Sequence, residues 1–319
     1  MQHAAHHDPG RGRILTEAVH LDLGPLRIHL RTDGTVPLRY SAPAYAGFFS
    51  PEAPRPGADP LVELPVDVVW GTSAVPSRPP LWQIGQSWAV WEAGADLLCL
   101  AGFHGPASAF FGCRVARDLT RAELAVDPAL PGSVRGRMEA PLRYPLDQVV
   151  SWGMLSRIGG ALLHAAVAVN DGVGYVFAGR SGAGKSTLSE LCHAEGWRIL
   201  NDDRTLVFRR GGEWRVAGTP WHGSGRFAEA ADVPLGGIYL LRQASENRLE
   251  PLAKSPARLA LLDVAAVPWF EDSWAQGILD GLDRLVGDVE IRRFHFTKTP
   301  AAVRTLTIRQ DALRAGACA

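Results

Sequence analysis

The sequence carries no excess charge of either sign: 33 Lys and Arg offset 33 Asp and Glu over 319 residues. A balanced chain has no large field to draw it to nucleic acid or to an anionic membrane, so neither is expected as a partner. Cysteine is scarce, and Cys99, Cys113, Cys192 and Cys318 form no Cys-x-x-Cys pair. Structural zinc needs closely spaced ligand pairs, and disulfide frameworks belong to small secreted chains, so these read as reduced thiols. No uninterrupted apolar run reaches the roughly 18 residues that cross a bilayer. Residues 1–13 hold His3, His6 and His7 among Gly and Pro, and lack the apolar segment of a secretory signal. No internal repeat is visible. The expectation is a cytoplasmic protein with a disordered tail over residues 1–14.

What is there is ordinary globular material, 46% hydrophobic, enough for a sizeable core. Residues 15–120 read as a β-rich N-terminal region. Leu26 to Leu30 alternates apolar and polar, Leu64 to Trp70, Trp82 to Trp91 and Asp96 to Ala101 read as short strands, and Pro43 to Pro60 reads as loop. Trp82, Trp88 and Trp91 read as aromatics of one packed sheet face. Residues 121–144 are Pro-punctuated and read as a linker. Residues 145–319 read as one α/β domain: a helix from Pro145 to Ile158, then a buried strand Ala161 to Val169. Asn170-Asp171-Gly172 is a hairpin turn signal, and Val173 to Ala178 is the return strand.

That return strand runs into Gly179-Arg180-Ser181-Gly182-Ala183-Gly184-Lys185-Ser186-Thr187, which matches GxxxxGK[ST] in full and precedes an expected helix. Glycines let backbone N–H groups wrap phosphate oxygens, and the helix start adds its dipole. Lys185 is expected on the β- and γ-phosphates of ATP, and the Ser186 hydroxyl on Mg²⁺. Asp202 and Asp203 follow the next strand, where one carboxylate can serve the metal and the other can take a proton from an incoming hydroxyl. His164 interrupts an otherwise apolar strand. Taken alone it reads as a satisfied core histidine more readily than as a functional one.

At these residues the sequence resembles the HPr kinase family, bacterial serine kinases whose P-loop fold is shared with phosphoenolpyruvate carboxykinase. His164 precedes Gly179 by fifteen residues, and Asp202-Asp203 sit in an Asn-Asp-Asp context like the family's Ala-Asp-Asp. The resemblance runs over Gly160 to Arg209. It implies His164, Lys185 and Asp203 as active-site residues, Asp203 as proton acceptor, Ser186 as Mg²⁺ ligand, and Asp202 as orienter of His164 or second metal ligand. Gly218 to Gly223 and Pro234 to Ile238 look like a subgroup that includes kinases encoded with ribosomally made peptides. The family's metal-binding Glu is missing from Trp214 to Thr219, with Glu213 adjoining. That counts against HPr itself as acceptor and against reverse phosphorolysis. His222 and Arg226 follow in a Gly-rich loop, as candidate contacts to phosphate or substrate.

The fold expected is therefore a PEP carboxykinase/HPr kinase-like P-loop core with a mixed sheet, preceded by a smaller β-rich region. The activity expected is transfer of the γ-phosphoryl group of ATP to a hydroxyl of a protein, peptide or small molecule, with Mg²⁺ as cofactor. A homo-oligomer is the assembly the resemblance suggests. The alternatives are a nucleotide-binding regulator with little turnover and a carboxykinase-like enzyme using Arg180, Arg204 or Arg226 on a small acid. An ABC-type ATPase is excluded by the absence of a Leu-Ser-Gly-Gly-Gln segment.

Overall fold

Short alternating runs punctuated by glycine turns give this chain more strand than helix. The structure, a computed structural model, describes residues 14–15, 18–32, 36, 38–39, 43–50, 59–104, 107–130 and 142–317. The tail histidines and Cys318 lie outside the described residues. The architecture is mixed α/β with two large mixed sheets. The chain divides into two units: 1–22, 27–57 and 63–151 form the first, and 23–26, 58–62 and 152–319 the second. No helix among the described residues is long and apolar enough to cross a membrane.

The first unit is built on a ten-stranded sheet. Its order is Phe49–Ser50, Ala18–Leu23, Leu26–Arg31, Val62–Trp70, Ala122–Val126, Ser108–Ala116, Asp96–Phe103, Trp88–Ala93 and Trp82–Ile84, with Ser73–Ala74 added on Ser108–Ala116. Three sequence expectations need correction. Pro43–Ala46 is a short helix inside the stretch read as loop. Ala122–Val126 is an interior strand, parallel to Val62–Trp70, where the linker was expected to begin; its alternating burial was hidden by flanking turn residues. Trp82 to Trp91 is a hairpin rather than one strand, so Trp88 and Trp91 are buried while Trp82 faces outward. Cys99 and Cys113, distant in sequence, face each other across two antiparallel strands, and burial pushes the Cys113 thiol up to about 12.

In the second unit, the last turns of α1 (Leu146–Ile158) lead through Gly159 and Gly160 to β1 (Ala161–Asn170). Asp171 and Gly172 both take positive φ, 49° and 78°, and Asn170 pairs with Val173. This is the two-residue hairpin geometry whose twist matches its strands. β2 (Val173–Ala178) returns, and the glycine-rich segment 179–184 leads into α2 (Lys185–Ala194). Then come β3 (Arg198–Asn201), β4 (Arg204–Arg210), β5 (Glu213–Ala217), β6 (Asp232–Gln243) and β7 (Arg248–Pro251). α3 (Lys254–Leu262), α4 (Asp272–Asp288), β8 (Ile291–Phe296) and α5 (Ala301–Ala317) complete the chain.

The sheet runs β2-β1-β4-β5-β6-β8-β7, with β3 on β1 and a further pairing of β2 with β6. The long β6 makes this possible. Its start pairs with β5, while its later residues lie parallel to β2 and β8. β2, β6 and β8 therefore end on one edge, at Ala178, Gln243 and Phe296. Beneath that edge Phe177, Tyr239, Phe294 and Phe296 form a buried core with Leu188 and Cys192 of α2 and Val303 and Leu306 of α5. Each buried aromatic of this size contributes about 1.5–3 kcal/mol over exposure. The near-continuous apolar run of β1 follows from burial on both faces.

Candidate functional site

A cavity of about 390 Å³ opens where the glycine-rich segment leaves the sheet. Ser181, Gly182, Gly184, Lys185, Ser186 and Thr187 border it on one side, and His164, Asp202, Asp203, Gly223 and Ser224 on another. Gln243 and Lys298 complete the wall. The local backbone requires glycine where the turn tightens. Gly184 has φ +104°, and a Cβ there would lie 2.6 Å from the Phe296 ring. The free N–H groups at the start of α2 suit an anion in this position.

Lys185 opens α2 with its ammonium turned inward. It donates to the Gly179 carbonyl at 2.9 Å, to the Arg180 carbonyl at 3.4 Å and to His164 Nε2 at 2.8 Å. An ammonium only donates, so Nε2 accepts and the neutral imidazole carries its proton on Nδ1. That Nδ1 faces Asp203 Oδ1 at 3.1 Å. His164 comes to this point because β1 lies between β4 and β2: His164 pairs with Arg204 of β4 on one edge, and the next residue, Ala165, pairs with Ala178 at the end of β2 on the other. Burial lowers the pKa of Lys185, and the carboxylates Asp203 and Asp202 only partly offset it. For Asp203, burial acts to raise the pKa. The hydrogen bond from His164 and the charges of Arg204 and Lys185 outweigh burial and hold it below its ordinary value.

Asp202 and Asp203 occupy the bend between β3 and β4, and Asn201 builds that bend. Its Oδ1 accepts from the backbone N–H groups of Asp203 at 2.7 Å and Arg204 at 2.6 Å, and its Nδ2 donates to the Thr219 carbonyl at 2.9 Å. The two acids then diverge. Asp203 turns to His164. Asp202 is buried, and its two oxygens accept from Gly223 N–H at 2.8 Å and Gly225 N–H at 2.7 Å. The expectation that Asp202 orients His164 is corrected: consecutive residues on a bend face opposite ways, and the histidine meets Asp203. Each Asp202 oxygen keeps lone-pair capacity beyond its single backbone bond.

The remaining residues of the motif are less uniform than the sequence implied. Gly179, Arg180 and Ala183 do not border the cavity. Arg180 is exposed and bound to Asp263 through Nε at 2.5 Å. Ser186 Oγ meets Ser224 Oγ at 3.2 Å. His222 lies outside the cavity, and Arg226 lines a separate depression with Phe227 and Trp197. Residues missed by sequence reasoning are Gln243, whose Nε2 donates to the Gly182 carbonyl at 2.8 Å, together with Gly223, Ser224 and Lys298. The Gly-rich texture of 222–225 was the one signal available for them. Among the described residues no group of three or more His, Cys, Asp or Glu could hold a metal by itself. The oxygen donors of the residues bordering the cavity include the Asp202 and Asp203 carboxylates and the hydroxyls of Ser181, Ser186, Thr187 and Ser224. This set fits a magnesium ion, which takes one or two carboxylates and fills its sphere with water and phosphate.

Comparison with known proteins finds a family model and solved structures similar to parts of this chain. The family model described as SynChlorMet cassette protein ScmC matches residues 147–284, less than half of the chain. The solved HPr(Ser) kinase/phosphatase from Coxiella burnetii is 14% identical; the match covers 49% of this chain and 98% of that one, at a TM-score of 0.30. That superposition is too loose to carry an argument. No curated protein matches the sequence.

Proposed function

We propose that this chain is an ATP-dependent phosphotransferase of the HPr kinase-related, P-loop type, passing the γ-phosphoryl group to a hydroxyl, with a serine of a protein or peptide as acceptor. The observation that carries the reading is the chain of contacts Lys185–His164–Asp203, at 2.8 and 3.1 Å, opening on the same cavity as the glycine-rich segment. Backbone N–H groups of 182–186 receive the phosphates, and Lys185 follows the β- and γ-phosphates as they arrive. Asp203 accepts the acceptor hydroxyl's proton. The freed oxygen bonds to the γ-phosphorus as the bond to the β–γ bridging oxygen breaks, and ADP leaves. In such transfers positioning and charge supply most of the catalysis. Ser186 and Asp202 would hold a magnesium ion, which would supply charge neutralisation to the phosphates.

Two sequence features narrow the acceptor. The missing metal-binding Glu argues against HPr, and the resemblance to kinases encoded with ribosomally made peptides favours a peptide. We assign the β-rich N-terminal region to acceptor recognition. The test is transfer from γ-labelled ATP with Mg²⁺ to HPr, a serine-ended peptide and free serine. Label moving to the peptide supports the reading. ATP binding with no transfer to any hydroxyl would favour a nucleotide-binding regulator instead.

A further inference from the structure

Resting on the phosphotransferase reading, we propose that Lys298 is a second phosphate-binding cation, placed on the nucleoside side of the site, where it holds the phosphates that ATP and ADP share.

The argument begins with strand order. β2, β6 and β8 are neighbouring parallel strands, with Ala178 beside Leu240 and Leu240 beside Arg293. Their carboxyl ends deliver the glycine-rich segment, Gln243 and Lys298 in turn along one edge. The other neighbour of β2 is β1, which brings His164, and β3 on β1 brings Asp202 and Asp203. The proton-accepting group therefore stands on one side of the glycine-rich segment and Lys298 on the other. Two strand spacings separate β2 from β8, about 10 Å, a span comparable to an extended phosphate chain. A γ-phosphate directed at Asp203 leaves the α- and β-phosphates pointing toward the β6–β8 end.

Charge balance leads to the same residue. Lys185 and Lys298 are the two cations bordering the cavity, against Asp202 and Asp203. Lys185 is already engaged by His164 and two carbonyls, and Arg180 is turned out to Asp263. Lys298 has no ion-pair partner among the described residues. Its turn is nonetheless braced. Thr297 donates its N–H to Asn247 Oδ1 at 2.8 Å and its hydroxyl to the same oxygen at 3.2 Å, and Ala244 N–H binds the Phe296 carbonyl at 2.9 Å. An unpaired ammonium on a fixed turn, facing an anion nest, is a preorganised phosphate contact.

The test is calorimetric titration of the full chain with ATP and with ADP, both with Mg²⁺, for wild type, Lys298→Gln and Lys298→Arg. Lys298 is exposed, so neither variant should disturb folding, and thermal melts would verify this. The expected result is that Lys298→Gln weakens ATP and ADP by the same factor, about ten- to a hundredfold. Its binding should also respond less to salt, and Lys298→Arg should restore affinity. Unchanged affinity for both nucleotides would overturn the proposal. Loss confined to ATP would also overturn it, by moving Lys298 to the γ-phosphate. Wild-type protein that binds neither nucleotide would overturn the phosphotransferase reading itself, and this inference with it.

Discussion

Nε2 of His164 lies 2.8 Å from Nζ of Lys185, and this one contact fixes which imidazole nitrogen carries the proton. With Nε2 accepting, Nδ1–H points at Asp203, so the histidine orients the carboxylate proposed as proton acceptor. His164→Ala removes the link while leaving the glycine-rich segment untouched. Transfer should fall by about a hundredfold or more, with ATP affinity kept. Steady-state kinetics beside equilibrium binding checks this. Equal loss of both would mean that His164 is part of the fold rather than of the chemistry.

The pH dependence follows from the direction of the Asp203 shift. Burial works to raise its pKa, and His164, Arg204 and Lys185 together bring it below the ordinary value. A proton acceptor must be ionised, so activity should persist as pH falls through the usual carboxylate range. Arg204→Gln removes one opposing charge, 3.5 Å away. The acidic limb of the kcat profile should then move to higher pH. The same depressed carboxyl stabilises the fold above its unfolded value of about 3.9, and that contribution is lost as pH falls through the lower folded value. A limb that stays in place in the variant would contradict the account.

Asp202 depends on glycine in a different way. A Cβ on Gly225 would lie 2.8 Å from its Oδ2, and one on Gly223 2.9 Å. Gly225→Ala should push the carboxylate off its two N–H donors and raise the magnesium concentration needed for half-maximal transfer, with stability lowered by about 1–3 kcal/mol. Asp202→Asn should act alike, because an amide NH₂ cannot accept from a backbone N–H. A magnesium titration of initial rates separates this from a general loss of fold.

Gly184 is limited by conformation and by space at once. Its φ of +104° is unfavourable for any side chain, and Phe296 blocks the Cβ. Gly184→Ala should abolish nucleotide binding and cost about 1–3 kcal/mol of stability. Adding Phe296→Leu opens space yet leaves φ unchanged, so binding should not return. Recovery in the double variant would show that crowding alone was the constraint.

The sequence revealed the contiguous parts of this site and hid the assembled ones. Residues 179–187 are a local pattern, and the strand before and helix after them follow from apolar runs and turn glycines. His164 showed itself by a break in an apolar strand and by its spacing to Gly179. The division of labour between Asp202 and Asp203 was not legible, because it depends on which way a bend faces and on Gly223 and Gly225 more than twenty residues away. Gln243 and Lys298 were hidden for a related reason. They arrive at the ends of parallel strands whose register is set by core packing of Tyr239, Phe294 and Phe296. In the N-terminal unit, Ala122–Val126 was missed because flanking turn residues masked its alternation and its parallel partner, Val62–Trp70, lies far away in sequence.

The most direct test of the central claim is Asp203→Asn in the labelled-ATP assay, with ATP affinity measured on the same preparation. The account predicts that ATP and Mg²⁺ still bind while transfer to the acceptor falls by about a hundredfold or more. Transfer at the wild-type rate in Asp203→Asn would contradict Asp203 as the proton acceptor, and with it the mechanism proposed for this site.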